Sequence, residues 1–346
     1  MSLTSALVLA AAAVLAALAL HGWWSSRRSL PRKAAGPVQP EPGPQRERVE
    51  PTLGEMTPAG DGHALAPLAT RRASARLDPL IDALATLALE APVTGDTVLA
   101  HLPPSRRAGG KPLLVEGLDS ETGEWEAPRP GARYGELQAG VQLANRSGAL
   151  NEIEYSEFVQ KLQAFADGVG AMAELPDMLD VVARARELDA FAGGHDAQLS
   201  LNLRANAAAW SVGYIQQSAQ RQGFVPGVLP GRLVLPGAED GAPPVLVLGF
   251  DPQAALADDP AAAALRVLQL SLDVPQTPEA AEPFPAWHQA ARLLAADMDA
   301  TMTDDAGRPI TLQAFATIGD DLKALYQALA ARDLAAGSPA ARRLFS

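Results

Sequence analysis

Two places along the chain carry residue types that could do chemistry. His195-Asp196, within FAGGHDAQ, has the composition of an acid/base pair. General catalysis needs a positioned partner and a pocket, and neighbours at a Gly-rich junction seldom supply both, so the stretch reads as a connector. Asp304-Asp305 with Gly307 resembles a cation loop without the regular acidic spacing of an EF-hand, and reads as a turn entering a helix at Thr311. The chain has no Cys and five His, which excludes disulfides, thiolate catalysis and Cys-ligated zinc. No G-x-S-x-G elbow, phosphate loop or His-Glu-x-x-His motif occurs. The expectation is a protein that is not an enzyme and takes no cofactor or metal.

The elements that would position a binding surface are easier to read. With 346 residues the chain exceeds one ordinary core, so two units are expected. Apolar residues make up 48% but aromatics only 5%, so large packing anchors are few. Net charge is −12; Ser25 to Arg72 hold eight Lys/Arg against five Asp/Glu, which leaves −15 on the rest. Nucleic acid is therefore excluded as a partner of the folded part.

From Leu3 to Trp24 about 22 residues carry no charge, against the roughly 20 that span a bilayer. Trp23 and Trp24, then Arg27 and Arg28, follow in the order of headgroup-layer indoles and cations that resist crossing. A secretory signal would carry a basic residue ahead of the apolar core, and none stands there. Residues 1–24 are thus expected to be a permanent anchor with its N-terminus periplasmic and the body cytoplasmic; a cleaved export signal is the alternative. Residues 25–72, rich in Pro and Gly, read as a disordered tether.

A similar succession of patterns then occurs twice, in residues 73–192 and 193–333, followed by a flexible tail, 334–346. LIDALATLAL puts Ile81, Ala83, Ala85, Leu87 and Leu89 on one strand face, and QLSLNLR does the same with Leu199, Leu201 and Leu203. Each unit continues with a helix, more strands and two amphipathic helices. Phe158, Leu162, Phe165 and Val169 mark the first pair, and Phe284, Trp287, Leu294 and Met298 the second. The predicted class is α+β: split βαβ units, a mostly antiparallel sheet with helices on one face, in two tandem copies after one transmembrane helix. Each sheet would have its other face open.

The junction HGWWSSRRS, the Pro-rich linker, QLSLNLRAN with GYIQQSAQRQGF, and LQLSLDVPQ with TMTDDAGRPITLQAF together resemble the ZipA family of bacterial cell-division anchors. The resemblance covers residues 1–30 and about 196–331. It implies an inner-membrane adaptor that tethers FtsZ by holding its C-terminal peptide in an apolar groove on the open sheet face. Carried over by position, the groove residues are Gln198, Ser200, Leu229, Phe250 and Ser271, of which only Leu229 and Phe250 are large and apolar. Two other readings stand beside it: an inner-membrane scaffold for a different peptide or protein, and an exported protein. Self-association through the anchor is left open.

Overall fold

Alternation of side chains along extended segments builds the two main sheets of the described residues, each paired antiparallel throughout. The computed structural model describes residues 76–239, 241–257 and 263–346. The expected anchor with Trp23, Trp24, Arg27 and Arg28, and the tether after it, lie outside them. Among the described residues no helix is long and apolar enough to cross a membrane.

The first unit runs β1 (Asp82–Leu89), α1 (Gly95–His101), β2 (Lys111–Asp119), β3 (Arg133–Gln142), α2 (Glu152–Val169), β4 (Ala171–Glu174) and α3 (Met178–His195). Its principal strands stand in the order β2-β3-β1-β4. The second runs β5 (Gln198–Ala205), α4 (Val212–Gln220), β6 (Arg232–Leu235), β7 (Leu246–Gly249), β8 (Val267–Asp273), α5 (Pro283–Met298), β9 (Ala300–Thr303) and α6 (Leu312–Ala330), ordered β6-β7-β8-β5-β9. A two-residue strand, Arg107–Ala108, flanks β2 as β6 flanks β7, so the principal strands of the two sheets follow the same succession, with one further short strand, Val225–Pro226, outside β6 in the second.

The strand faces follow the alternation. Ile81, Ala83, Ala85 and Leu87 are buried, as are Leu201 and Leu203, while Leu89 and Leu199 are half-buried. Helix α2 begins with a reciprocal cap between Asn151 and Glu154 and ends at Gly170, whose φ of 69° suits glycine. Its stripe of Phe158, Leu162, Phe165 and Val169 is buried. Trp210 and Trp287 are core residues of the second unit, and their indole nitrogens donate to Met298 O and Leu270 O at 2.9 and 3.2 Å.

Two features depart from expectation. The paired helices of each unit are separated by a strand, β4 or β9. These four-residue segments, AMAE and ATMT, are too short to show a period, and they exist because β1 and β5 offer an edge to pair with. The second departure is the tail. Residues Pro339–Leu344 form a helix, α7, capped by the Ser338 hydroxyl, and Ala340, Ala341, Leu344 and Phe345 are buried in the first unit's core. A terminus is ordered when it is tied down, and this one is tied twice. The Arg343 guanidinium forks onto Asp82 at 2.8 and 2.5 Å, and Gln142 Nε2 donates to Arg343 O at 2.8 Å. The C-terminus of the chain therefore closes the core of the first unit.

The first sheet's outer face is partly covered by the chain's own entry segment. Leu77 N donates to Glu116 Oε1 at 2.9 Å, and the Leu77 side chain rests on Gly140 of β3. A Cβ at Gly140 would lie 2.5 Å from Leu77 and 3.1 Å from Leu84. Gly140→Ala is accordingly expected to lift Leu77 and cost about 1–3 kcal/mol, as overpacking does, read as a lower midpoint in urea. An unchanged midpoint would show that Leu77 does not need this contact.

Candidate partner-binding face

The outer face of the second sheet is set by the residues that alternate with its buried leucines. On β5 these are Gln198, Ser200, Asn202 and Arg204; on β8 they are Val267, Gln269, Ser271 and Asp273. Register places Gln198 opposite Asp273, Ser200 opposite Ser271 and Asn202 opposite Gln269. Ser271 also stands beside Val247 of β7 and donates its hydroxyl to Val247 O at 3.3 Å. A shallow depression of about 390 Å³ lies here, lined by Gln198, Arg232, Val247, Gln269 and Ser271 among others. Three of the five residues carried over by resemblance, Gln198, Ser200 and Ser271, are thus brought together on one surface.

The other two sit at one end of it. Leu229, in the turn before β6, is 54% exposed. Phe250 follows β7 and packs half-buried against the second core, on the side of Leu246 and Leu248. Phe250 N donates to Gly231 O at 2.8 Å, and a Cβ at Gly231 would come within 2.5 Å of Phe250 O, so glycine is what lets the two turns touch. Phe250 is therefore chiefly a packing residue, and Leu229 the freer apolar contact.

Residues missed from sequence complete this end. Val267 leads the outward row of β8 and is 40% exposed, and Val228 and Leu256 stand in the neighbouring turns with still larger exposure. The alternation in VLQLSLD assigned Leu268, Leu270 and Leu272 inward and by the same step put Val267 outward, which is the signal that could have found it.

The opposite end is closed by the first unit. Arg146, in the hairpin Ala144–Ala149, bonds Asp273 at 2.7 Å and Asp196 at 2.6 Å. With its amide oxygen turned inward, Gln198 accepts from Arg146 at 3.0 Å. Burial works against the Arg146 charge, and the two carboxylates more than offset it, raising its pKa above the ordinary arginine value. Gln276 Nε2 donates to Phe345 O at 2.6 Å on the same side. The face thus has exposed apolar residues toward one end and the Arg146 ion cluster at the other.

The two candidate chemical stretches do not assemble a reactive site. His195 ends α3, with Nδ1 on Phe191 O at 2.7 Å and its ring stacked on Phe191, while Asp196 turns to Arg146. Asp304 accepts from Arg308 N and Arg308 Nε at 2.8 Å, which makes the stretch a turn whose carboxyl is held below the usual range by these bonds. Among the described residues no group of three or more His, Asp or Glu is placed to hold a metal ion. No family model and no curated protein matches the chain.

Proposed function

We propose that the chain is a non-enzymatic, membrane-anchored adaptor of bacterial cell division that tethers FtsZ to the inner membrane, with the FtsZ C-terminal peptide lying on the outer face of the second sheet. The apolar run Leu3–Trp24 supplies the anchor, and residues 25–72 the reach. We further read the two units as copies of one α+β domain, which their shared strand succession supports.

The observation that carries the reading is the difference between the two outer faces. The first is partly covered by Leu77, fixed through Glu116, whereas the second bears a depression over Gln198, Val247, Gln269 and Ser271, with Val267 exposed on the same face and Val228 and Leu229 exposed in the turn before β6. An extended peptide entering at that apolar end gains a few buried contacts, and the Arg146 cluster stops it at the other. Few apolar contacts make a weak site, but a polymer offers many copies of its peptide to many anchored sites, so avidity supplies the strength. The polar middle of the face, Ser200, Gln269 and Ser271, favours a second reading in which the same scaffold holds a different extended peptide.

Fluorescence anisotropy of a labelled FtsZ C-terminal peptide against the full chain in detergent tests the site. Saturable binding is expected, weakened about thirtyfold in Leu229→Ala/Val267→Ala, since each truncation of an apolar contact removes roughly 1 kcal/mol and every 1.4 kcal/mol is about tenfold. Both residues are surface-exposed, so the variant keeps its fold. Binding that the variant leaves unchanged would remove this face from the account.

A further inference from the structure

The helical side of the second unit holds a separate cleft, of about 970 Å³, between the start of α5 and the exposed edge of α6. Its floor is aromatic: Phe284 stacks on Trp287 with centroids 5.9 Å apart, and Phe315 lies 6.5 Å from Phe284. Phe284 is the one aromatic of that stripe that stays half-buried, because Gly319 of α6 leaves room beside it; a Cβ there would sit 3.1 Å from the ring. Pro283 and Pro285 form one wall.

Two further observations bear on what would enter. Tyr326 lines the cleft, is 92% buried by its 8% exposure, and its hydroxyl has no hydrogen-bond partner among the described residues. Burial and the charge of Glu279 push that phenol up to about 12, so it stays a neutral donor at every physiological pH. A buried hydroxyl left unpaired is costly, and a ligand carbonyl that accepted from it would recover that cost. The rim is acidic: Glu279, Glu282 and Asp320 stand on it, and Lys323, the one cation among the described lining residues, is taken up by Asp320 at 3.0 Å.

We propose that this cleft binds an extended, proline-containing peptide that carries Arg or Lys beside the proline. Grooves lined by aromatic rings favour such peptides because a polyproline II segment is already ordered and its rings lie flat on aromatic faces. A backbone carbonyl of the peptide would accept from Tyr326, and the flanking cations would meet Glu279 and Glu282. An acidic rim disfavours an anionic membrane surface as the occupant. The cleft lies in the helical layer and not on the outer sheet face, so it is independent of the FtsZ site.

The probe is a fluorescein-labelled peptide, Ala-Pro-Leu-Pro-Arg-Arg-Ala, with a counterpart in which both Arg are Glu, titrated onto the full chain in detergent. Saturable binding of the Arg form is expected, about tenfold weaker in Glu279→Gln/Glu282→Gln and about threefold weaker in Tyr326→Phe. Leu229→Ala should leave it unmoved. Absence of saturation up to about 1 mM peptide, equal binding of both peptides, or indifference to the double Gln variant would each overturn the proposal. The chain's own LAPLATRR, residues 65–72, also combines a proline with two arginines, four residues further on. Binding that appears only after those residues are replaced by Gly and Ser would assign the cleft to the linker and overturn a partner peptide.

Discussion

Deletion of residues 339–346 is expected to unfold the first unit while leaving the second sheet paired. Leu344 and Phe345 are 1% exposed and lie in the same core as Ile81, Leu137 and Phe158, more than 180 residues away in sequence. Removing a buried Phe side chain costs about 3–5 kcal/mol and a buried Leu about 2–5. Their sum meets or exceeds much of the roughly 5–15 kcal/mol that holds an ordinary domain folded. The single substitution Phe345→Ala gives the graded version: about 3 kcal/mol, or about 6–12 °C in Tm at 2–4 °C per kcal/mol. A calorimetric scan that moves by less than about 2 °C would mean that the terminus is not part of this core.

The second large effect belongs to the pair beside it. Asp82 has a fully buried side chain, and Arg343 is its charged partner. Burial raises the Asp82 pKa, and the hydrogen bonds and charge of Arg343 offset this only in part. In Arg343→Ala the carboxylate is left unpaired, which costs about 3–5 kcal/mol at neutral pH. A carboxyl whose pKa is raised on folding adds stability below its unfolded value and loses it as pH rises through the folded value. Without Arg343 the folded pKa rises further, so the deficit of the variant must be greatest at neutral pH and shrink on acidification as Asp82 takes up a proton. Urea denaturation of both proteins at pH 7 and in mild acid measures this. Arg343→Met with Asp82→Asn, which removes both charges, should recover most of the loss. A deficit that does not change with pH, or no recovery in the double variant, would contradict the assigned pairing.

Much of this was legible before the structure, and the reasons differ by element. Strand faces such as Ala83-Ala85-Leu87 and Leu201-Leu203 were readable because a half-buried antiparallel strand writes its burial with period two. The helical stripes of α2 and α5 were readable for the same reason with period 3.6. Strands β4 and β9 were not, because four residues show no period and their pairing energy comes from a distant edge. The role of SPAARRLFS was hidden for a related cause: a short amphipathic end looks frayed unless one knows that Asp82 and an unfilled core wait for it.

The candidate site divides along the same line. Gln198, Ser200 and Ser271 share a face because register follows from alternation. That Phe250 turns toward the core, and that Arg146 of the first unit seals the far end, depends on contacts between segments far apart in sequence. No local pattern encodes these.

The most direct test of the tethering account is flotation of FtsZ filaments with lipid vesicles that carry the full chain. Filaments should rise with vesicles bearing the intact protein, and should stay largely in the dense fraction when the vesicles carry Leu229→Ala/Val267→Ala or none of the protein. Equal flotation with the intact and the variant chain would contradict the assigned face, and filaments that never rise with the intact chain would contradict tethering itself.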